Sequence, residues 1–140
     1  MKYLLDTCAI SELVKKHPNE KIVQWIKECD EDAVFISVLT LGEIQKGISK
    51  LDDNRRRIKI QKWLDSDLRD RFAERILPIS LEVALTWGVI EGESSNKGRP
   101  LPVIDALIGA TAVTHNLTVV TRNERDIRGT GARILNLWAP

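Results

Sequence analysis

The sequence predicts an α/β fold, with a central parallel β-sheet flanked by helices on both faces in three layers. Three observations carry that reading. Short apolar runs alternate with longer stretches whose apolar residues recur every three or four positions, strand then helix along the whole chain. The strand-like runs are short and mainly apolar rather than alternating regularly with polar residues, as expected of strands covered on both faces. The length, 140 residues with 43% hydrophobic and 29% charged side chains, suits one domain over residues 1–140 that needs no disulfide or metal staple to fold.

The elements follow in order. Tyr3-Leu4-Leu5 is a short strand stopped by the polar turn Asp6-Thr7. Ile10 to Lys16 reads as a short helix closed by His17-Pro18, and Asn19 can cap a second helix with Ile22, Val23, Trp25 and Ile26 on its apolar face. Ala33 to Val38 is the second strand. Thr40 then opens a helix carrying Leu41, Ile44, Ile48 and Leu51, and Thr40 with Glu43 fits a capping box. A long helix runs from about Arg55 to Arg75, with Ile58, Trp63, Leu64, Leu68 and Phe72 at helical spacing. Ile76 to Ile79 is extended because of Pro78. Leu81 to Ser94 is helical, and after a Ser-Asn-Lys-Gly turn Pro102 opens a helix over Val103 to His115. Leu117 to Thr121 and Arg133 to Leu135 complete the strands.

Several functional classes are excluded at this level. Two cysteines without C-x-x-C spacing make no disulfide framework and point to a reducing compartment. No apolar run approaches the roughly 20 residues of a membrane span, and Asp6 interrupts the start too early for a signal peptide. A cytoplasmic protein without membrane contact is expected. Net charge is +1, so bulk charge does not announce a nucleic-acid partner. Its distribution is uneven, since Lys46 to Lys62 holds seven bases against two acids. Within that block Lys46, Lys50, Arg55, Arg56 and Arg57 read either as a solvated helix face or as contacts to phosphate or to a protein partner. There is no Gly-x-Gly-x-x-Gly between strand and helix, no phosphate-binding P-loop and no zinc pattern around His17 and His115.

What remains is acidic. In an open parallel sheet, ligands gather outside the carboxyl ends of the strands. Asp6 follows the first strand, Glu43 lies early in the helix after the second, Asp105 lies in the first turn of the helix opened by Pro102, and Asp126 follows the Thr121 strand. Each alone has a structural explanation, as a cap, a capping box, a favourable helix-dipole charge or a polar loop residue. Together they are like charges on one rim that repel unless a cation neutralises them. An all-oxygen cluster suits Mg²⁺ or Mn²⁺, and the chemistry it supports is phosphodiester hydrolysis. The fourth position is open between Asn123 and Asp126. If residues 123–127 begin a helical turn, Asn123 caps it and Asp126 faces its start.

Leu4-Leu5-Asp6-Thr7, Leu41-Gly42-Glu43-Ile44, Pro102 to Ala112 around Asp105, and Val120-Thr121-Arg122-Asn123 through Asp126 together resemble the motifs of the PIN-domain family. The similarity is to ribonuclease toxins of the VapC and FitB type and spans the whole chain. It departs at Cys8, where Asn is common, and around Asn123 and Ile127. The resemblance implies a PIN-like three-layer fold and a metal-dependent endoribonuclease that is the toxin of a type II toxin–antitoxin system. It implies Asp6, Glu43 and Asp105 as metal-site acids, with a fourth polar or acidic position after the Thr121 strand. With Asp126 in that position the expected catalytic set is Asp6, Glu43, Asp105 and Asp126, with Asp6, Asp105 and Asp126 on the metal, Glu43 reaching it through water, and Thr7, Thr121 and Asn123 in support. It implies RNA as substrate, a VapB- or FitA-like antitoxin, a homodimer and a higher hetero-oligomer. The alternative from another class is a catalytically idle PIN-like domain that only binds RNA or protein, which retention of the three principal acids opposes.

Overall fold

A computed structural model describes all 140 residues. Five parallel strands form one sheet in the order β3-β2-β1-β4-β5, where β1 is Tyr3–Leu5, β2 Val34–Ser37, β3 Ile76–Leu77, β4 Thr118–Val120 and β5 Arg133–Leu135. The first strand in sequence is thus the central one, pairing Leu4 with Phe35 on one side and Val119 on the other. Side chains alternate faces along a strand, and here both faces are covered. Leu5, Val34, Ile36 and Val120 face the larger core, under helices α1 (Thr7–Ser11), α2 (Glu20–Glu28), α3 (Val38–Ser49) and α4 (Asn54–Lys62). Leu4 and Val119 face the smaller core, with Ile108 and Ala112 of α7 (Val103–His115) and Ile127 of α8 (Glu124–Arg128). This is the three-layer arrangement expected from the sequence.

Local chemistry sets the boundaries, and some differ from the sequence reading. Helix α1 starts at Thr7 rather than Ile10, because Asp6 caps it and accepts the Ala9 N–H at 3.0 Å. Helix α3 starts at Val38, since the Ser37 hydroxyl accepts from the Leu39 N–H at 3.0 Å. Thr40 therefore opens nothing; it is buried inside the helix, and the capping box with Glu43 does not form. The expected helix from Arg55 to Arg75 is one rod with a change of winding, from α4 through a π-wound segment Trp63–Leu68 to the short α5 (Arg69–Arg71). Its buried residues Ile60, Leu64, Leu68 and Phe72 repeat every four positions, which drifts about 40° per step on an α-helix. The wider π turn offsets that drift and keeps all four on the core.

Helix α6 (Leu81–Asn96) packs on α7 and leaves Leu81, Leu85 and Val89 exposed. It ends in a Schellman motif, with the Arg99 N–H donating to Ser94 and the Gly98 N–H to Ser95, at 2.8 and 2.9 Å. Gly98 takes the left-handed φ of +70° this requires. Helix α7 buries residues on nearly all sides, and Gly109 lets Thr130 approach so closely that a Cβ there would lie 2.2 Å from its hydroxyl. That contact seats α8, and with it Asp126, against the start of the Pro102 helix. No helix is long and apolar enough to cross a membrane.

Candidate active site

The carboxyl ends of β1 and β4 lie side by side, and the backbone N–H of Asp6 extends their ladder by donating to Val120 at 3.2 Å. Asp6 is 9% exposed and uses its two oxygens differently. Oδ1 caps α1 through Ala9, while Oδ2 accepts from the Thr121 hydroxyl. Thr121 is fully buried, and its oxygen also accepts the Asn123 N–H at 2.9 Å. One threonine thus ties the end of β1 to the start of the β4–α8 connection.

Asn123 holds the next pair. It occupies the N-cap position of α8, but its side chain caps nothing. Its Nδ2 donates instead to Asp126 Oδ2 at 3.0 Å and to Asp105 Oδ2 at 3.4 Å. The helical turn foreseen at 123–127 exists, and the capping role foreseen for Asn123 is replaced by a bridge between two carboxylates. Glu43 lies on the exposed face of α3, where its Oε1 accepts from the Thr7 hydroxyl at 2.6 Å.

Electrostatics show that the acids sense one another. Burial pushes the Asp6 carboxyl up to about 6, against the hydrogen bonds from Thr121 and Ala9 that favour its charge, and Asp105 adds to the rise. Asp105 is raised too, by its own burial and then by Asp126 and Glu43. None of the four acids is in a salt bridge; the three ion pairs of the protein, Lys15–Glu12, Arg71–Glu31 and Arg128–Glu124, all lie elsewhere. The set is uncompensated negative charge on hard oxygen donors, which suits a divalent cation. No three acidic, His or Cys side chains form a ready-made metal cage. An ion such as Mg²⁺, which keeps several waters and takes one or two carboxylates directly, requires none.

The remaining named residues separate clearly. Arg56 lines a groove that begins at Thr7 and Glu43 and runs past Val14 and Ile60. Lys46, Lys50 and Arg55 are exposed and do not line that groove, and Arg57 lines a shallow pocket with Ile58 and Gln61 of α4. Burial and then Asp6 push the Cys8 thiol up, away from the thiolate that a nucleophilic cysteine needs. His115 ends the helix that Asp105 begins, about 15 Å along its axis, so the two share no site.

Glu12 was not foreseen. It is 3% exposed, pairs with Lys15 at 2.8 Å and accepts from the Asn19 N–H at 2.9 Å and the Trp138 indole at 3.3 Å. Burial alone would raise its pKa, but these partners hold it below the usual range. It fastens the C-terminal segment to the end of α1. A carboxylate next to an apolar helix end was the available signal; its partner, 126 residues away, was invisible.

The PIN-domain family model matches residues 3–131. Toxin FitB of Neisseria gonorrhoeae is 31% identical over 135 residues, which cover 96% of this chain and 97% of FitB. The VapC ribonuclease Y4jK of Sinorhizobium fredii is 29% identical, over 98% of each chain. Among solved structures, FitAcB from Neisseria gonorrhoeae superimposes with a TM-score of 0.92 at 30% identity, over 99% of both chains. The DNA-bound VapBC complex from Salmonella typhimurium does so with a TM-score of 0.81 at 27% identity, over 98% of both. The order of strands, the acids at their carboxyl ends and this full-length similarity agree: the chain belongs to the PIN-domain family, alongside the FitB and VapC toxins.

Proposed function

We propose that the protein is an endoribonuclease dependent on Mg²⁺ or Mn²⁺ and the toxin of a type II toxin–antitoxin pair. The observation that carries this reading is the uncompensated cluster of Asp6, Asp105, Asp126 and Glu43 at one sheet edge, with two of its carboxyls raised by burial and mutual repulsion. Asp6, Asp105 and Asp126 would hold the cation, one or two of them directly and the rest, with Glu43, through its waters. When bound, it supplies an acidified water and shields the charge that builds on the phosphorus and the leaving oxygen.

The chain's own polar residues arrange the acids. Thr121 fixes the Asp6 carboxylate through its hydroxyl, and Thr7 does the same for Glu43. Asn123 keeps Asp105 and Asp126 side by side by donating to both, which softens a repulsion that would otherwise splay them. Fixed donors of this kind spare the site reorganisation during the reaction.

Relatives named as complexes support a partner antitoxin. A segment crossing from the acids along the groove of Val14, Arg56 and Ile60, and on to Leu13 and Trp63, would bury apolar side chains there. The exposed stripe Leu81, Leu85 and Val89, beside the open Gly88 and Gly92, supports a homodimer in which one copy's ridge enters the other's small-residue groove. Light scattering showing a monomer at micromolar concentration would end that part of the reading. A cytoplasmic location fits RNA as the substrate.

The function itself is tested with purified protein and end-labelled RNA. Cleavage is expected with Mg²⁺ or Mn²⁺ and not in EDTA, and undiminished cleavage in chelator contradicts the reading.

A further inference from the structure

Two depressions adjoin the acids, and they differ in chemistry. The groove along α1 and α4 has an apolar floor. The other is a cleft of about 810 Å³ between the α6–α7 connection and α8, whose apolar side chains, Pro100, Leu101 and Pro102, all come from the connection. Lys97 and Arg99 come to it from the connection, Arg125 and Arg128 from α8, and Asp126 is its one carboxylate. Asp126 belongs to the acid cluster as well, so the cleft opens directly onto the site.

All four bases are exposed, and only Arg128 has an acidic partner, Glu124 at 3.5 Å on the helix surface. Such an exposed pair is easily exchanged for another anion. The walls, by contrast, are held in place. The Schellman turn at Gly98 sets Lys97 and Arg99 on either side of a left-handed residue. The Leu101 N–H donates to Glu91 at 3.4 Å, and the Leu101 side chain lies so near Gly129 that a Cβ there would meet it at 2.7 Å. The connection and α8 are therefore docked on each other, with their cations turned into one space.

We propose that this cleft binds the phosphate backbone of the RNA next to the bond being cut. The proposal rests on the ribonuclease reading and extends it to where the strand lies. A strand that presents one phosphate to Asp6, Asp105 and Asp126 must carry its neighbouring phosphates past an anionic rim that repels them. Lys97, Arg99, Arg125 and Arg128 offer compensating charge immediately beside that rim, and release of counterions from the strand drives such binding. The α1–α4 groove, with five aliphatic side chains in its lining, offers a peptide more to bury than Pro100, Leu101 and Pro102 do here, while the four bases of the cleft match a run of phosphates.

The test is binding of a short fluorescent oligouridylate to Asp6→Asn protein, which removes cleavage, over a series of salt concentrations. Adding Lys97→Ala, Arg99→Ala and Arg125→Ala together is expected to weaken binding by about tenfold or more and to lower the salt slope by about 2, at roughly 0.7 per lost single-strand contact. Arg125→Ala alone, a surface change that leaves the fold intact by thermal melting, is expected to lower the slope by about 0.7. Lys21→Ala with Lys27→Ala, on the exposed face of α2, is expected to leave affinity and slope unchanged. With Asp6 restored, the triple variant raises KM while kcat holds.

Equal affinity and slope in the triple variant overturn the proposal. So does no binding by the Asp6→Asn protein, or a triple variant that loses a protein partner while keeping RNA. The two readings fail separately. Wild-type protein that binds oligouridylate through these bases but cuts no RNA in Mn²⁺ supports the cleft and defeats the ribonuclease. Wild-type protein that cuts, matched by the triple variant in KM, defeats the cleft alone.

Discussion

Asp6 keeps one oxygen on the first turn of α1 and the other on Thr121, in a setting that water scarcely enters. Its carboxyl has an ordinary value of 3.8 in the unfolded chain and about 6 in the fold. Between those values the native state holds more protons than the unfolded state, so metal-free stability falls as pH rises through that window, by about 3 kcal/mol over the whole of it. Glu12 acts oppositely, because its depressed value withdraws stability as pH falls below its ordinary 4.5. Asp105, raised as well, adds to the same slope, so the Asp6 contribution is the difference between wild-type and Asp6→Asn proteins in urea unfolding without metal between about pH 4 and pH 6. Asp6→Asn is expected to flatten that slope and to be the more stable protein at pH 7. A steeper decline in the variant contradicts the burial argument. Asp126 and Asn123 separate by rate. Asp126→Asn removes charge from the site and is expected to lower turnover at least tenfold, about 1.4 kcal/mol of transition-state stabilisation. Asn123→Ala leaves both carboxylates in place but unbridged, and a smaller loss is expected, shared between rate and stability. A fully active Asp126→Asn beside a dead Asn123→Ala would reverse the two roles.

At the scale of elements, positioning depends on close approaches that small residues permit. Gly109 of α7 is filled by the Thr130 side chain, and Thr130 also caps the end of α8 by donating to Ile127 at 2.6 Å. Gly109→Ala is expected to cost about 1–3 kcal/mol through overpacking and to push α8, with Asp126 and Arg125, away from Asp105. Thermal unfolding gives the first quantity and turnover the second; a variant with native stability and native rate would show that the contact positions nothing. The strands and α7 were legible from sequence, since short apolar runs and an uninterrupted apolar helix behind Pro102 leave few alternatives. Helix starts were less so. Ser37 and Thr40 are both good caps, and the choice between them depends on where β2 stops pairing with β1 and β3. The π-wound turn at Trp63–Leu68 was hidden because helical periodicity tolerates either winding, and only the buried row Ile60, Leu64, Leu68 and Phe72 distinguishes them.

At the scale of the whole molecule, the topology explains why four distant acids were readable as one rim. Parallel strands send every strand's end to the same edge, so Asp6, Glu43, Asp105 and Asp126 could be placed there from order alone. What joins them was not readable: that Thr121 reaches Asp6, that Asn123 bridges two acids, and that Lys97 and Arg99 meet Arg125 and Arg128 are tertiary facts with no local sequence signal. The same convergence leaves a cluster of negative charge that the protein does not neutralise with its own cations, and the central claim is that a divalent ion does so. The direct measurement is unfolding stability at neutral pH with and without Mn²⁺, in wild-type, Asp6→Asn and Asp105→Asn proteins. The ion is expected to stabilise wild-type protein by about 2.7 kcal/mol at a hundred times its dissociation constant and each variant by far less. Equal stabilisation of all three, or none of wild-type protein, would contradict the claim.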